Sequence, residues 1–397
     1  MIKATGGKRP IATAPAATSP HKKQAAIAQA KPASTAEPLR PRGGERAHQP
    51  GAQLPVEQRA GRTTAARKID RAALAGRSFA AIDLGSSSVK MLVQTVKADG
   101  TLRTVADLKI GCALGKGVQP GQPIPPENQQ RALDALTTFL DVAAQHGVDA
   151  KDIPMITTAV VRNASNGDAF LARVHGERGL VRARVLSGDD EAAMGYQGAL
   201  QMMGGKRGRY ATLDLGGGSF QLAIGTANKM SDGGSTQVGS NLILDTMLAP
   251  AAKPDGAGDP AIFTEVDKKL GELAPMPLDV AELKGRTLVA TGGISKFLRA
   301  HFGKDVITQT EVEALRRQAI ALSYAARVPL VQGTKDEDTK KALGIDTPEG
   351  ALDYGKKLPA STSLLLHILD GIGVQEVRVS ETDARHALVD LRVTEAQ

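Results

Sequence analysis

Two segments of this chain carry one pattern. Ala81-Ile-Asp-Leu-Gly-Ser-Ser-Ser88 and Thr212-Leu-Asp-Leu-Gly-Gly-Gly-Ser219 both read apolar, Asp, Leu, Gly, small, small, Ser, and their aspartates stand 131 residues apart. Each lies between two short apolar runs, which makes it the tip of a β-hairpin. Glycines and serines at such a tip let backbone N–H groups come close to an anion, and their concave array suits phosphate. An aspartate just before the turn can hold a divalent cation against the phosphate oxygens, directly or through water. Two ordinary tight turns, each with Asp bonding its own backbone, would have the same composition. Recurrence at equivalent places in two α/β halves favours the ligand reading: two similar domains face a common cleft.

The flanking pattern supports alternating strands and helices. Phe79–Leu84, Val89–Val96 and Thr101–Ile110 read as a three-strand meander. Met155–Val161, Val181–Leu186, Thr287–Ala290 and Glu376–Val379 read as further strands. Tyr210–Leu215 and Phe220–Gly225 repeat the opening hairpin. Apolar spacing predicts helices over Glu127–Gly147, Gly167–Val174, Asp189–Met202, Leu242–Ala249, Ala261–Leu273, Ile294–Phe302, Gln309–Ala326 and Leu358–Ile372, and Thr382–Val393 closes the chain. The expected division is a disordered extension over 1–76, a first domain over 77–203 and a second over 204–397, whose last helix is free to pack back on the first.

Charge is distributed unevenly along these parts. Residues 1–77 hold 15 Lys/Arg and 4 Asp/Glu, whereas the remainder holds 35 and 38. The basic character of the chain, net +8 overall, therefore belongs to its first fifth, a Pro- and Ala-rich segment without aromatic residues that is too poor in apolar surface to offset its ordering entropy. Such a segment serves as a solubilising or targeting extension, or as a cationic arm for a polyanion. The single cysteine, Cys112, excludes intrachain disulfides and a Cys-based zinc site. No apolar run approaches the roughly 20 residues of a membrane span, and no secretory signal stands at the start, so the expected location is cytoplasmic with no membrane partner. The seven histidines lack metal-ligand spacing, Gly115-Lys-Gly117 lacks the frame of a P-loop, and 11 Phe and Tyr with no Trp argue against a stacking platform for nucleic acid.

Paired hairpins of this type resemble those of the superfamily containing actin, hexokinase and the seventy-kilodalton heat-shock ATPases. The segments between them resemble one branch, the exopolyphosphatase/guanosine pentaphosphatase family. Thr158-Ala-Val-Val-Arg-Asn-Ala-Ser-Asn-Gly-Asp-Ala-Phe-Leu171, Val185-Leu-Ser-Gly-Asp-Asp-Glu-Ala-Ala193, Leu288-Val-Ala-Thr-Gly-Gly-Ile294, Leu358-Pro-Ala360 and Val377-Arg-Val-Ser380 are similar to that family's blocks in the family's order, over about residues 79–390. The short length is similar to that of the two-domain members. The resemblance implies two ribonuclease-H-like, actin-like domains, and hydrolysis of inorganic polyphosphate from its end or of guanosine pentaphosphate.

By the same resemblance, Glu191 is the catalytic base. Arg162 and Thr158 hold the substrate, and phosphate meets Gly85, Ser86, Ser87 and Ser88 on one side and Gly216, Gly217, Gly218 and Ser219 on the other, with Gly292 and Gly293 also binding it. Mg²⁺ is expected between Asp83 and Asp214. The chemistry agrees: phosphoryl hydrolysis needs neutralised oxygens and a positioned water, Arg offers planar bidentate recognition, and a carboxylate can deprotonate the water. The plainer readings are a solvated arginine at 162 and simple compensation of the helix dipole by Asp189, Asp190 and Glu191.

Departures from the family pattern matter as well. Gln221, the second catalytic candidate, stands where the family has Glu, Ser87 where it has Asn, Ala159 where it has Ser, and Ala384-Arg-His-Ala387 where it has Leu-Arg-Glu-Gly. The leading expectation is release of terminal orthophosphate from polyphosphate; beside it stand hydrolysis of guanosine pentaphosphate at the same site, a degenerate protein that binds polyphosphate without cutting it, which these departures motivate, and a nucleotide-dependent kinase or ATPase. A homodimer is compatible with all of them.

Overall fold

A computed structural model describes residues 70–396, residue 335 excepted. The basic extension expected over 1–76 lies outside the described residues as far as residue 69. Residues 70–76 belong to the fold: Arg71–Leu74 forms a 3₁₀ turn and Leu74 is buried.

In the first half, β1 (Ser78–Leu84), β2 (Ser88–Val96) and β3 (Leu102–Gly111) form the antiparallel meander. Beside β1, parallel to it, lie β4 (Met155–Thr157) and then β5 (Ala183–Val185), giving the order β3-β2-β1-β4-β5. The helices are α1 (Pro126–Gln145), α2 (Ala159–Arg162), α3 (Gly167–Arg178) and α4 (Gly188–Gln201). Proline at the first position starts α1, and its Leu133, Leu136, Phe139 and Ala143 enter the core at helical spacing.

The second half repeats the plan. Strands β6 (Arg209–Leu215), β7 (Phe220–Thr226), β8 (Lys229–Thr236), β9 (Thr287–Thr291), β10 (Val306–Thr308) and β11 (Glu376–Val379) run in the order β8-β7-β6-β9-β11-β10. Without the antiparallel edge strand β10, this is the order of the first sheet, and both are ribonuclease-H-like. Helix α5 (Ser240–Ile243) runs through a π-helical stretch, Leu244–Leu248, into α6 (Ala249–Ala251). Then come α7 (Phe263–Leu273), α8 (Val280–Leu283), α9 (Gly293–Phe302), α10 (Gln309–Ala321), α11 (Tyr324–Val331), α12 (Glu337–Leu343), α13 (Pro348–Ile372) and α14 (Ala384–Glu395).

Several boundaries differ from the sequence reading. The strand expected over Met155–Val161 ends at Thr157; Val161 and Arg162 donate their N–H groups back to the Thr158 carbonyl and form a helical turn. Burial of Val160 and Val161 in the first core is satisfied either way, which is why a short apolar run does not reveal its geometry. The helix expected over Gln309–Ala326 is two, because the Ser323 hydroxyl accepts from Ala326 N and starts α11 afresh.

Two helices cross between the halves. Helix α4 packs Ala192, Tyr196, Ala199 and Leu200 on Tyr210, Ala223 and Val289 of the second sheet. Helix α14 buries Leu388, Val389 and Val393 with Phe79, Ala81, Leu92 and Val96 of the first, each worth about 1.5–3 kcal/mol. Where these helices meet, a Cβ on Gly198 would lie 2.1 Å from the Asp383 carbonyl oxygen, so only glycine fits.

A buried cluster of four charges ties the halves together. The Arg385 guanidinium, 1 % exposed, donates at 2.6 Å to Asp107 on β3 and at 2.6 Å to Asp383, and also to the Met91 carbonyl at 3.1 Å. Lys296 on α9 closes the square with Nζ 2.5 Å from Asp107 and 3.8 Å from Asp383.

Candidate functional site

The two repeated turns have one backbone geometry. Gly85 N donates to the Ser88 carbonyl at 3.0 Å, and Gly216 N donates to the Ser219 carbonyl at 2.9 Å. Each turn therefore caps the carboxyl end of the first strand of its sheet, where open α/β sheets bind ligands. The tips meet. A Cβ on Gly217 would lie 2.6 Å from Ser87 Oγ, and one on Gly218 would lie 2.9 Å from Ser86 Oγ. The Ser86 and Ser87 carbonyls accept from Gly115 N at 2.8 Å and from Cys112 N and Ala113 N at 3.0 Å each. Ala113 holds φ +47°, a left-handed conformation that costs a non-glycine residue about 1–3 kcal/mol, so the chain stores strain in bracing this tip.

The aspartates lie just behind the tips. Asp83 faces Lys90 across the hairpin, with Nζ 3.4 Å from Oδ2. Asp214 faces Gln221, and Gly292 borders it: φ is +87° there and a Cβ would lie 2.9 Å from Asp214 Oδ1. Gly293 follows, its carbonyl accepting from Tyr354 Oη at 3.0 Å. Burial, above all, pushes the Asp214 carboxyl up to about 6; Asp383 and Asp83 push the same way, and Lys90 opposes.

Arg162 ends α2, next to the chain reversal that Thr158 begins. Its Nη1 donates to the Leu186 carbonyl at 2.6 Å and lies 3.6 Å from Glu191 Oε2. Helix α4 separates its three opening acids by role. Ser187 caps it, accepting from Asp190 N at 3.1 Å and donating to Asp190 Oδ2 at 2.8 Å, and Asp189 and Asp190 are exposed. Glu191 turns inward. Its Oε2 is buried without a hydrogen-bond partner, as is the Thr157 hydroxyl on β4. Burial first, then Asp214, pushes the Glu191 carboxyl up to about 7, against the Arg162 guanidinium.

Gln221 is tied down. It is 4 % exposed, and its Nε2 donates to Ser219 Oγ at 2.8 Å and to Ser235 Oγ at 3.0 Å. Two neighbours escaped the sequence reading. Lys90 was legible in principle, since it follows from hairpin register once Asp83 is singled out. Asn241 was not: its Nδ2 donates to Ser87 Oγ at 2.8 Å and its N–H to the Gly217 carbonyl at 2.9 Å, and this contact between halves has no local signature.

The donor set around the turns suits a hard divalent cation. Asp83 and Asp214 offer carboxylate oxygens, and Glu191 Oε2, buried without a hydrogen bond and only partly offset by Arg162 at 3.6 Å, adds a third nearby. Among the described residues no three His, Cys, Asp or Glu side chains enclose an ion by themselves. Mg²⁺ commonly binds in this way, through one or two carboxylates completed by water and substrate phosphates.

The chain matches known proteins over this framework. A curated relative from Aliivibrio fischeri named guanosine-5′-triphosphate,3′-diphosphate pyrophosphatase is 27% identical over 325 residues, 80% of this chain and 60% of that protein. One of the same name from Vibrio vulnificus is 31% identical over 255 residues, 62% of this chain and 48% of its own. The chain thus spans about 60% of the first of these relatives and about half of the second. Among solved structures, an exopolyphosphatase from Cytophaga hutchinsonii has a TM-score of 0.63 at 19% identity, covering 80% of this chain and 98% of its own. The Aquifex aeolicus Ppx/GppA family member has 0.57 at 19%, covering 81% and 99%. These likenesses show the shared fold. The Ppx/GppA phosphatase family model matches residues 92–330, more than half of the chain, and the chain belongs to that family.

Proposed function

We propose that this protein is an exopolyphosphatase-type hydrolase that releases terminal orthophosphate from inorganic polyphosphate. The observation that carries this reading is Glu191: a partnerless, buried carboxylate oxygen beside Arg162, on the cleft where two phosphate-type turns meet. A general base works best with a proton affinity near the working pH, and this one lies near 7.

The terminal phosphate would lie between the turns once the tips part, held by the backbone N–H groups and hydroxyls of Ser86–Ser88 and Gly217–Ser219 and by Arg162. Glu191 orients a water and takes its proton while the water oxygen bonds to phosphorus. The bond from phosphorus to the bridging oxygen breaks, and the shortened chain leaves with that oxygen and its negative charge. Asp83 and Asp214 would hold Mg²⁺, which neutralises phosphate charge when bound. Arg162, anchored on the Leu186 carbonyl, keeps N–H groups for the phosphate oxygens without a search of rotamers.

A second reading is hydrolysis of guanosine pentaphosphate, supported by the names of the Aliivibrio and Vibrio relatives. Phosphate release from purified protein given polyphosphate of several lengths, guanosine pentaphosphate and ATP separates the readings. Fastest release from polyphosphate is expected. Preference for guanosine pentaphosphate would install the second reading, ATP alone would indicate a kinase or ATPase, and binding without release a degenerate member.

A further inference from the structure

A concentration of positive charge lies at the end of the second sheet away from the cleft. The residues from 70 onward hold 37 Lys/Arg and 39 Asp/Glu, so the folded body is slightly acidic. Yet Lys206, Arg207 and Arg209 stand within four residues where the chain enters β6, with no acid among them. Sheet register brings three more cations to the same end. Arg209 pairs with Thr226, which pairs in turn with Lys229, and β9 runs parallel to β6 from Thr287, just after Lys284 and Arg286. All are exposed except Arg286, which is half-buried and donates to the Gly225 carbonyl at 3.2 Å. Among the described residues only Arg286 of these six has an ion-pair partner, Glu282 at 3.7 Å.

The loop is held in shape from below. Tyr210, 3 % exposed, donates from Oη to the Lys206 carbonyl at 2.9 Å, and a Cβ on Gly208 would lie 3.1 Å from its Cζ. Lys206 N donates back to the Met203 carbonyl at 3.1 Å. The backbone that carries the three cations is thus set before a ligand arrives, which lowers the cost of binding.

We infer that this face is a second polyphosphate site, which grips an inner stretch of a long chain whose end lies in the cleft. The inference rests on the reading of the cleft as a terminal-phosphate site. Five cations without ion pairs on an acidic body form a local positive field suited to a polyanion. Strand β6 joins the two sites, running from Arg209 to Leu215, directly before the Gly216–Ser219 turn, a span of about 20 Å. A chain that covers this span engages both sites at once, and the second contact forms at high effective concentration. A short chain reaches only one. Other polyanions fit less well. Tyr210 is covered, so no aromatic face is offered to bases. None of the exposed large apolar side chains belongs to these loops, so nothing enters a lipid surface.

Long-chain polyphosphate and tripolyphosphate are titrated into full-length Glu191→Gln protein, in which chains are not consumed. Lys206→Ala, Arg207→Ala and Arg209→Ala together should weaken binding of the long chain about tenfold, the combined effect of three exposed charge contacts, and leave tripolyphosphate within about 2-fold. The slope of log affinity against log salt should become shallower by about two for the long chain, at about 0.7 per contact. Alanine at Lys253, Lys268 and Lys269, which lie elsewhere on the second half, removes the same charge and should leave long-chain affinity within about 2-fold. Unchanged long-chain affinity in the loop variant, an equal loss for both ligands, or an equal loss in the control variant would overturn the inference. So would a single-stranded oligonucleotide or a phosphatidylserine vesicle that binds through this loop more tightly than long polyphosphate. Phosphate release by the unaltered protein is followed in parallel, and its absence with loop-dependent binding intact overturns the hydrolase reading alone.

Discussion

Arg162 Nη1 stands 3.6 Å from Glu191 Oε2 yet donates at 2.6 Å to the Leu186 carbonyl, so the guanidinium is fixed to backbone while it faces the carboxylate. The pairing is therefore partial. Burial and Asp214 outweigh it and lift the Glu191 carboxyl from its ordinary 4.5 to about 7.

The pH dependence follows with a definite sign. A base must be deprotonated to act, so kcat/KM should rise as pH increases through about 7 and level off above it. Glu191→Gln should lower the rate by about 10²–10⁴ and remove that limb. A pH–rate profile on both proteins checks this, and a variant retaining half the rate would remove Glu191 from the role of base.

Metal binding should be visible without turnover. Asp83, Asp214 and Glu191 bring like charges to one cleft, with Lys90 and Arg162 as partial counterweights. Mg²⁺ should raise the melting temperature of the substrate-free protein above that in NaCl of equal ionic strength, by mass action on the folded state. Asp214→Asn should diminish the rise. Equal melting in both salts would place no ion between these carboxylates.

What was legible depended on how local each signal was. Asp83, Asp214 and their turns lie within eight-residue repeats, and the strands around them are short apolar runs bounded by small residues. Strand β8 was missed because its sequence, Lys-Met-Ser-Asp-Gly-Gly-Ser-Thr, has only its last residue among those that favour strands and pairs along the edge that β7 offers. Helix α13 begins ten residues before the expected Leu358, since proline suits the first turn of a helix and Pro359 within it reads as a start. Of the site, Arg162 and Glu191 were marked by resemblance alone, and Asn241 by nothing local.

The four-charge cluster predicts a large stability effect from one substitution. Arg385→Met would leave Asp107 and Asp383 short of a buried partner, and breaking such a pair costs about 3–5 kcal/mol. Asp107 and Asp383 are both held below their ordinary 3.8 chiefly by Arg385, against the cost of burial. The stability they contribute is thus present above about pH 4 and is lost as pH falls further. Urea unfolding at pH 7 and pH 3 measures both effects, and a loss under about 1 kcal/mol at pH 7 would mean that solvent already screens the cluster.

The basic segment predicts a salt effect. Residues 1–69 carry 13 Lys/Arg and 3 Asp/Glu. A protein beginning at Asp70 should show a higher Michaelis constant for long polyphosphate at low salt, little change for short chains and a shallower salt dependence, because cationic steering is screened over about 8 Å at physiological ionic strength. Identical kinetics across chain length and salt would leave the segment without a part in capture.

The crossing of α4 and α14 also has a consequence for how the protein is made. A ribosome delivers Phe79, Ala81, Leu92 and Val96 some three hundred residues before Leu388, Val389 and Val393, the side chains that cover them. For nearly the whole of synthesis this face of the first sheet lacks the cover of α14, and transiently exposed apolar surface of this kind is prone to aggregate. The half translated first is therefore finished last, and a product that stops short of α14 is expected to expose this apolar face.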